Sequence, residues 1–444
     1  MKPLCVVSCP IDTFSGYGAR SRDFVKALIK VRDKDWDIKI LPQRWGDCPM
    51  KALPQDDPLF SRFIPQLPTQ PDIWMQITVP NEFQPAGKSL NIGVTAGIET
   101  TVFPGDFIEG CNRMDLNLFS STFSKETFQK TKLQKRDRNT QQVVADLEAL
   151  KPAEVVFEGL NTDVYHKNPK SSEILKDVKE DFCFLFTGHW LPGIFGEDRK
   201  NNGKLIETFL NTFKGSKKKK PALILKTNGA GHSIIDKEEC LTKIKDIKTK
   251  FPSDWELPNI YLLHGSLSDE GMNKLYNHPK VKAFVSLTHG EGFGRPLLEA
   301  TMTGLPVIAS AWSGHVDFLS QSDSLLLGGV LEKVPDSQHW ENIIIPEAQW
   351  FNVNEQQTYK ALNYVFENID DVTSRAKNLM KTNRDKFTLS KMVEKLDKIV
   401  TPHLEKLPQQ VGLNLPKLKK VPEAPAGPKI KLPKLKKVTS EATV

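Results

Sequence analysis

No stretch of the 444-residue chain stays apolar for the ~18 residues a membrane-crossing helix needs, so no transmembrane segment is expected. The opening M-K-P-L-C-V-V-S-C-P turns polar too early for a secretory signal. Cysteine is sparse: Cys5, Cys9, Cys48, Cys111, Cys183 and Cys240 include no C-x-x-C pair, which argues for reduced thiols in a cytoplasmic compartment rather than a disulfide framework. Asp33, Asp35 and Asp37 have D-x-D spacing but lack the apolar strand that should precede a metal motif. They read as a solvated helix end, and no essential metal or cofactor is expected. The charge excess is also local. From Gly412 onward, eight lysines and two glutamates supply +6 of the net +7, leaving +1 for the rest of the chain. This tail, 412–444, repeats L-P-K-L-K-K-V at 415–421 and 432–438. With no periodic apolar face it should be extended and disordered, able to contact an acidic partner or anionic surface, or to serve only as a solubilising linker. No aromatic residue interleaves its lysines, so base stacking is not indicated.

What is present is an ordinary globular composition, 39% hydrophobic and 26% charged, on a chain too long for one core. It is organised around His289–Leu319, H-G-E-G-F-G-R-P-L-L-E-A-T-M-T-G-L-P-V-I-A-S-A-W-S-G-H-V-D-F-L. The apolar run Val281–Leu287 predicts a buried strand, and Pro296 suits the first turn of a helix. Between them Gly290, Gly292 and Gly294 permit a sharp turn and close approach to a ligand, and the free N–H groups of the helix start favour an anion. Glu291 and Glu299, eight residues apart, can face the same ligand, and a carboxylate suits vicinal hydroxyls. Phosphate donors with diol acceptors describe a nucleotide sugar.

The E-x7-E spacing in E-G-F-G-R-P-L-L-E-A, followed by G-L-P-V-I-A-S and a glycine before D-F-L, resembles the donor-site signature of retaining glycosyltransferases of family 4. The resemblance implies the GT-B fold: two Rossmann-like, doubly wound α/β domains facing a cleft. It further implies sugar transfer from a nucleotide sugar to a hydroxyl acceptor with retention. Glu299 would hold the ribose diol and Glu291 the donor sugar. Lys200 with the Phe293 and Gly294 amides would take the diphosphate.

The expected domains are 1–170 on the acceptor side, 171–388 on the donor side, a return helix within 389–411 packing on the first domain, and the tail. In the first, Leu4–Ser8 reads as a strand and F-S-G-Y-G-A-R-S-R-D-F-V-K-A-L-I-K as a glycine turn opening a helix whose Phe24, Ala27, Leu28 and Val31 share a face. The resemblance places Gly16 and Gly18 near donor or acceptor. Ile38–Leu41, Ile73–Ile77 and Leu90–Val94 read as strands and Gln43–Gln70 as loop. Glu99, in G-I-E-T-T-V-F-P, would face the cleft as an acceptor-side residue, or only help to end a loop. Asp115 and Ser121 read as structural. Lys125–Lys151 reads as an exposed helical insertion, and 155–165 as a strand crossing to the second domain, with Gly159, Asp163 and Tyr165 matching the family's pattern.

In the second domain, D-F-C-F-L-F-T-G-H-W reads as a strand before a helix at Asn202–Phe213, with further strands at Ala222–Lys226 and Ile260–His264 and a helix at Asp269–Tyr276. Lys200 matches the family's phosphate-binding lysine, but His189 stands where an arginine is usual. Arg199 or Arg295 could supply that charge, since guanidinium pairs bidentately with phosphate. Lys226 is a donor-side candidate, His264, Gly265 and Ser266 resemble the base-binding turn, and His289 is a candidate for the sugar side. The lysine patch 214–220 reads as solvated, the region of Trp340, Pro346 and Trp350 as an ordered loop, and Gln356–Asn368 and Val372–Phe387 as helices before a last one ending near Leu404. The acceptor stays open among glycan, lipid, protein and modified nucleic acid. A non-catalytic GT-B module that binds a glycan or nucleotide and acts in assembly through its basic tail is the competing reading, favoured by His189.

Overall fold

Two six-stranded sheets, parallel throughout, follow one another along the chain. This computed structural model describes residues 2–137, 139–168, 173–191, 193, 196–215, 219–229 and 231–404. The basic tail, the boundary expected near 170 and residues 216–218 of the lysine patch lie outside that set.

The first sheet takes β1 (Leu4–Cys9), β2 (Asp37–Pro42), β3 (Ile73–Ile77), β4 (Leu90–Thr95) and β5 (Leu116–Phe119). Helix α1 (Gly16–Arg32) connects β1 to β2, α2 (Gly105–Arg113) precedes β5, and α3 (Thr122–Lys130) follows it. A hairpin of β6 (Leu133–Arg136) and β7 (Val143–Leu147) stands apart, and β8 (Ala153–Val155) completes the sheet, in the order β2-β1-β3-β4-β5-β8. Ser15 caps α1 by accepting from the Gly18 amide, while Phe24, Ala27 and Leu28 are buried and Val31 is half-buried.

The second sheet takes β9 (Cys183–His189), β10 (Ala222–Asn228), β11 (Ile260–Leu263), β12 (Val281–Ser286), β13 (Val307–Ser310) and β14 (Leu325–Leu327) in the order β11-β10-β9-β12-β13-β14. Its helices are α4 (Asn202–Phe213), α5 (Ile234–Lys248), α6 (Asp269–Tyr276) and α7 (Arg295–Met302). The hairpin β15 (Gly329–Lys333) and β16 (Gln349–Val353) leads into α8 (Glu355–Glu367), α9 (Ile369–Lys386) and α10 (Leu389–Leu404). Every residue of β10 is buried, as helices on both faces of a parallel sheet require. Chain order along this sheet reverses between β9 and β12, and along the first between β1 and β3. Open sheets bind ligands in the crevice beyond the strand ends at such points.

Helix α10 returns to the first domain. Its Leu389, Met392, Leu396 and Val400 share one buried cluster with Phe24 and Leu28 of α1, each fully buried side chain contributing about 1.5–3 kcal/mol. Arg32 adds contacts of 2.5 Å to Asp397 Oδ1 and Thr401 Oγ1.

Three expectations are corrected. The run 125–151 is not one helix: α3 ends at Lys130, and Asp137 Oδ1 accepts from the Asn139 and Thr140 amides at 2.9 and 2.8 Å, a side-chain-closed turn that folds the charged stretch into the β6–β7 hairpin. The strand expected over 155–165 stops at Val155. Beyond it the chain turns, and Leu160 bridges Thr388 beside α10. The region expected to be loop around Trp340 and Trp350 contains strand β16, which pairs with β15 and buries Trp350. Helix α5 had no sequence expectation. Asp33 pairs with Arg62 at 2.7 Å and Asp37 with Lys39 at 3.2 Å.

Candidate functional site

At the β9–β12 reversal, the chain after β9 delivers Arg199 and Lys200 just before α4, and the chain after β12 delivers the glycine turn 289–294. The Lys200 ammonium is hydrogen-bonded to Glu291 Oε1. Arg199 Nη1 lies 3.8 Å from Glu291 Oε2 and 3.4 Å from Glu99 Oε1, and it donates to the Gly290 carbonyl at 3.1 Å. Glu99 comes from the loop after β4 of the first sheet, so Glu99, Lys200 and Glu291 meet with Arg199 between the domains. Burial opposes ionisation of Glu291, but Lys200 and Arg199 outweigh it and hold the carboxyl below its ordinary range. Burial also keeps the Lys200 ammonium below its usual pKa, although Glu291 works against that.

The glycines of the turn do something the sequence did not reveal. A Cβ on Gly290 would sit 2.2 Å from the Glu99 carbonyl oxygen, and one on Gly292 2.6 Å from that of Ala96. Glycine at these two positions therefore admits the backbone of the first domain, where close approach to a ligand had been expected. Ser120 and Ser121 complete the contact, their hydroxyls donating to the Gly292 carbonyl at 3.1 and 2.6 Å. Gly294, at φ 92°, is left-handed and starts α7. The Phe293 ring packs on Phe318 at 5.1 Å in the core.

Arg295 sits among carboxylates. Its Nε lies 2.9 Å from Glu299 Oε1, and its Nη1 lies 2.5 Å from Asp23 Oδ2 on α1 and 3.8 Å from Glu158 Oε2. Tyr276 donates to Glu299 Oε2 at 2.9 Å, so both oxygens of the expected ribose carboxylate are engaged. Burial pushes the Glu299 carboxyl up to about 7.

The remaining candidates surround this centre. The His189 Nδ1 contacts the Gly229 carbonyl at 3.1 Å, and burial lowers its pKa, so it does not reproduce an arginine's fixed charge. Lys226, at the carboxyl end of β10, donates to the Gly265 carbonyl, and burial lowers its pKa to about 8. His264 Nε2 lies 2.5 Å from Asp236 Oδ2, which ties the expected base-binding turn to α5. His289 stacks on Trp350 at 4.2 Å and places Nδ1 3.0 Å from the Phe351 carbonyl oxygen, a held position in the loop. Gly18 fits tightly, 2.3 Å from its Cβ position to the Thr13 carbonyl oxygen, whereas a Cβ on Gly16 would meet nothing within 4 Å. Sequence reasoning missed Asp23, Glu158 and Tyr276, whose partners lie far along the chain. It read Ser121 as structural, and Ser121 does cap α3 as well as hold the glycine turn.

Residues 202–345 match the family model for glycosyl transferases group 1. No curated protein matches the chain. Among solved structures, HepE of Anabaena in complex with UDP and glucose is similar at TM-score 0.57 and 13% identity, covering 90% of this chain and 100% of that one. Sucrose-phosphate synthase of Thermosynechococcus elongatus is similar at TM-score 0.56 and 12% identity, covering 91% and 100%. A glycosyltransferase of Rickettsia africae ESF-5 is similar at TM-score 0.57 and 13% identity, covering 91% and 99%. The fold is GT-B. Among the described residues no helix is long and apolar enough to cross a membrane.

Proposed function

We propose that the chain transfers a sugar from a nucleotide-sugar donor to a hydroxyl acceptor with retention of anomeric configuration. The observation that carries this reading is the Lys200–Glu291 pair, with Arg199 and Glu99, at the strand-order reversal of a group 1 domain and against the first domain. Lys200 and Arg199 serve as cations for the diphosphate, where negative charge grows as the glycosidic bond breaks. Donors fixed at that place stabilise the transition state more than the ground state. Glu291 orients hydroxyls of the donor sugar, and Glu299 takes the ribose diol once its carboxylate exchanges Arg295 or Tyr276 for the ligand. The leaving phosphate oxygen receives the acceptor proton on the same face, and Glu99 stands on the acceptor side. HepE with UDP and glucose makes uridine-diphosphate sugars the first donors to test.

The test is turnover of Glu291→Gln together with NMR of the product's anomeric centre. Turnover near wild type, or an inverted product, sinks the proposal. A non-catalytic module is the second reading, since His189 replaces the family's arginine. Release of free nucleotide from donor without acceptor separates the two, because a binding module releases none.

A further inference from the structure

The first sheet has its own strand-order reversal, between β1 and β3, and an aromatic pair stands beside it. Tyr17, in the first turn of α1, stacks on Trp45 with centroids 4.2 Å apart and planes at 26°. The Tyr17 ring is fixed from behind. Its hydroxyl lies 2.8 Å from Thr95 Oγ1 at the end of β4 and accepts from the Ala96 amide at 3.1 Å. The loop bearing Trp45 is fastened at both ends, Gln43 N donating to the Cys9 carbonyl at 2.9 Å and Phe14 N to the Pro49 carbonyl at 2.9 Å. The pair is therefore a preformed surface. The backbone just before Tyr17 is open, since a Cβ on Gly16 would meet nothing within 4 Å. The proposed catalytic centre follows on the same loop: the Ala96 amide that donates to Tyr17 opens the segment after β4 that carries Glu99.

We propose that Trp45, backed by Tyr17, is the platform on which the acceptor lies, and that the acceptor is a neutral saccharide. A half-buried indole offers a rigid apolar face that matches the C–H face of a pyranose, at little cost in side-chain entropy. Gln43, Arg44 and Asp47 are exposed beside Trp45 and offer donors and acceptors for ring hydroxyls. Arg44 and Asp47 cancel in charge, which disfavours a polyanion such as nucleic acid, whose binding needs a positively charged groove as well as stacking. This assignment rests on the transferase reading for its role, but sugar binding itself is measurable without any donor.

Saturation-transfer NMR on the full chain with methyl glycosides of glucose, galactose, mannose and N-acetylglucosamine tests it. At least one glycoside is expected to bind. Trp45→Ala should weaken that binding roughly tenfold or more, as for an aromatic anchor, and Trp45→Phe by less, since a ring remains. Arg44→Ala, at an exposed side chain, supplies a second variant should Trp45→Ala unfold, and it too should weaken binding. Absence of binding by every glycoside, or equal binding by all variants, overturns the proposal. So does loss in Trp45→Ala of binding to single-stranded DNA or phosphatidylglycerol vesicles with glycoside binding untouched. Failure of transfer from every nucleotide sugar, with glycoside binding intact, would instead sink the transferase reading and leave the platform standing.

Discussion

Arg295 Nη1 lies 2.5 Å from Asp23 Oδ2, joining the first residue of the donor-side helix α7 to the middle of α1, 272 residues earlier. Both side chains are only 12% exposed, so the pair is held in a poorly screened setting with Glu158 and Glu299 around it. Removing Asp23 leaves Arg295 with Glu299 and Glu158, so the cost is about 1–3 kcal/mol, less than for a fully stranded buried charge. Asp23→Asn should show a loss of this order in urea unfolding, and the double variant with Arg295→Met should lose less than the sum of the two single losses, because the residues touch. Strict additivity would show that the contact is not an energetic link.

Lys200 is the cation nearest Glu291, and Lys200→Met removes its charge at nearly constant length. If Lys200 stabilises charge growing on the leaving diphosphate, kcat should fall about 10²–10³-fold, more than the affinity for donor does. A rise in KM with kcat unchanged would make Lys200 a ground-state binder only. Steady-state kinetics with a uridine-diphosphate sugar decides between these.

How far such residues could be read in advance depended on the reach of their interactions. Helices Asn202–Phe213 and Asp269–Tyr276 emerged with the expected bounds, and the second starts where Ser268 caps it within its own turn. Strands β1 to β4 and β9 to β12 were legible from their apolar runs, while β13 and β14 had no sequence expectation and the strand expected over 155–165 stopped at Val155. The stretch 125–151 misled because its charges suit a solvated helix, and only the Asp137 turn folds it back. Arg295 was only partly legible for another reason. Its neighbours in sequence suggest a phosphate, while its partners Asp23 and Glu158 come from parts of the chain that only the folded domains bring near. Glycine spacing likewise told of close approach but not of what approaches.

Gly292→Ala puts a methyl group 2.6 Å from the Ala96 carbonyl oxygen, a backbone atom that cannot swing away, so the two domains must separate locally. Activity should fall by at least roughly tenfold, with a loss of stability of about 1–3 kcal/mol. Gly16→Ala meets nothing within 4 Å and lies in the first turn of α1, so it should stabilise by about 0.4–1 kcal/mol through the unfolded chain. Equal melting temperatures for the two variants would contradict the assignment of Gly292 to domain contact.

Glu299 makes stability depend on pH. Burial raises its folded-state pKa to about 7 from 4.5, so between these values the folded chain binds more protons than the unfolded one and stability falls as pH rises. Glu299→Gln removes that dependence. Relative to wild type, the variant should gain on the order of 3 kcal/mol between pH 4.5 and 7, whatever its fixed offset from losing the Arg295 contact. Urea unfolding of both proteins at several pH values checks this, and a constant difference would place the Glu299 titration outside that window.

Lys226 should behave in the opposite sense. Burial lowers its folded-state pKa to about 8 from 10.5, so in that interval the unfolded chain binds the extra proton and stability rises with pH. Below pH 8 the folded protein bears the cost of a buried ammonium whose one hydrogen-bond acceptor among the described residues is the Gly265 carbonyl. Lys226→Met should therefore be more stable than wild type at pH 7, by on the order of 3 kcal/mol before the lost hydrogen bond is subtracted. The advantage should shrink as pH rises from 8 to 10.5. If Lys226 also serves the donor, the same variant should bind uridine diphosphate more weakly while melting higher. A variant that melts lower at pH 7 would mean that the ammonium is held by more than one carbonyl.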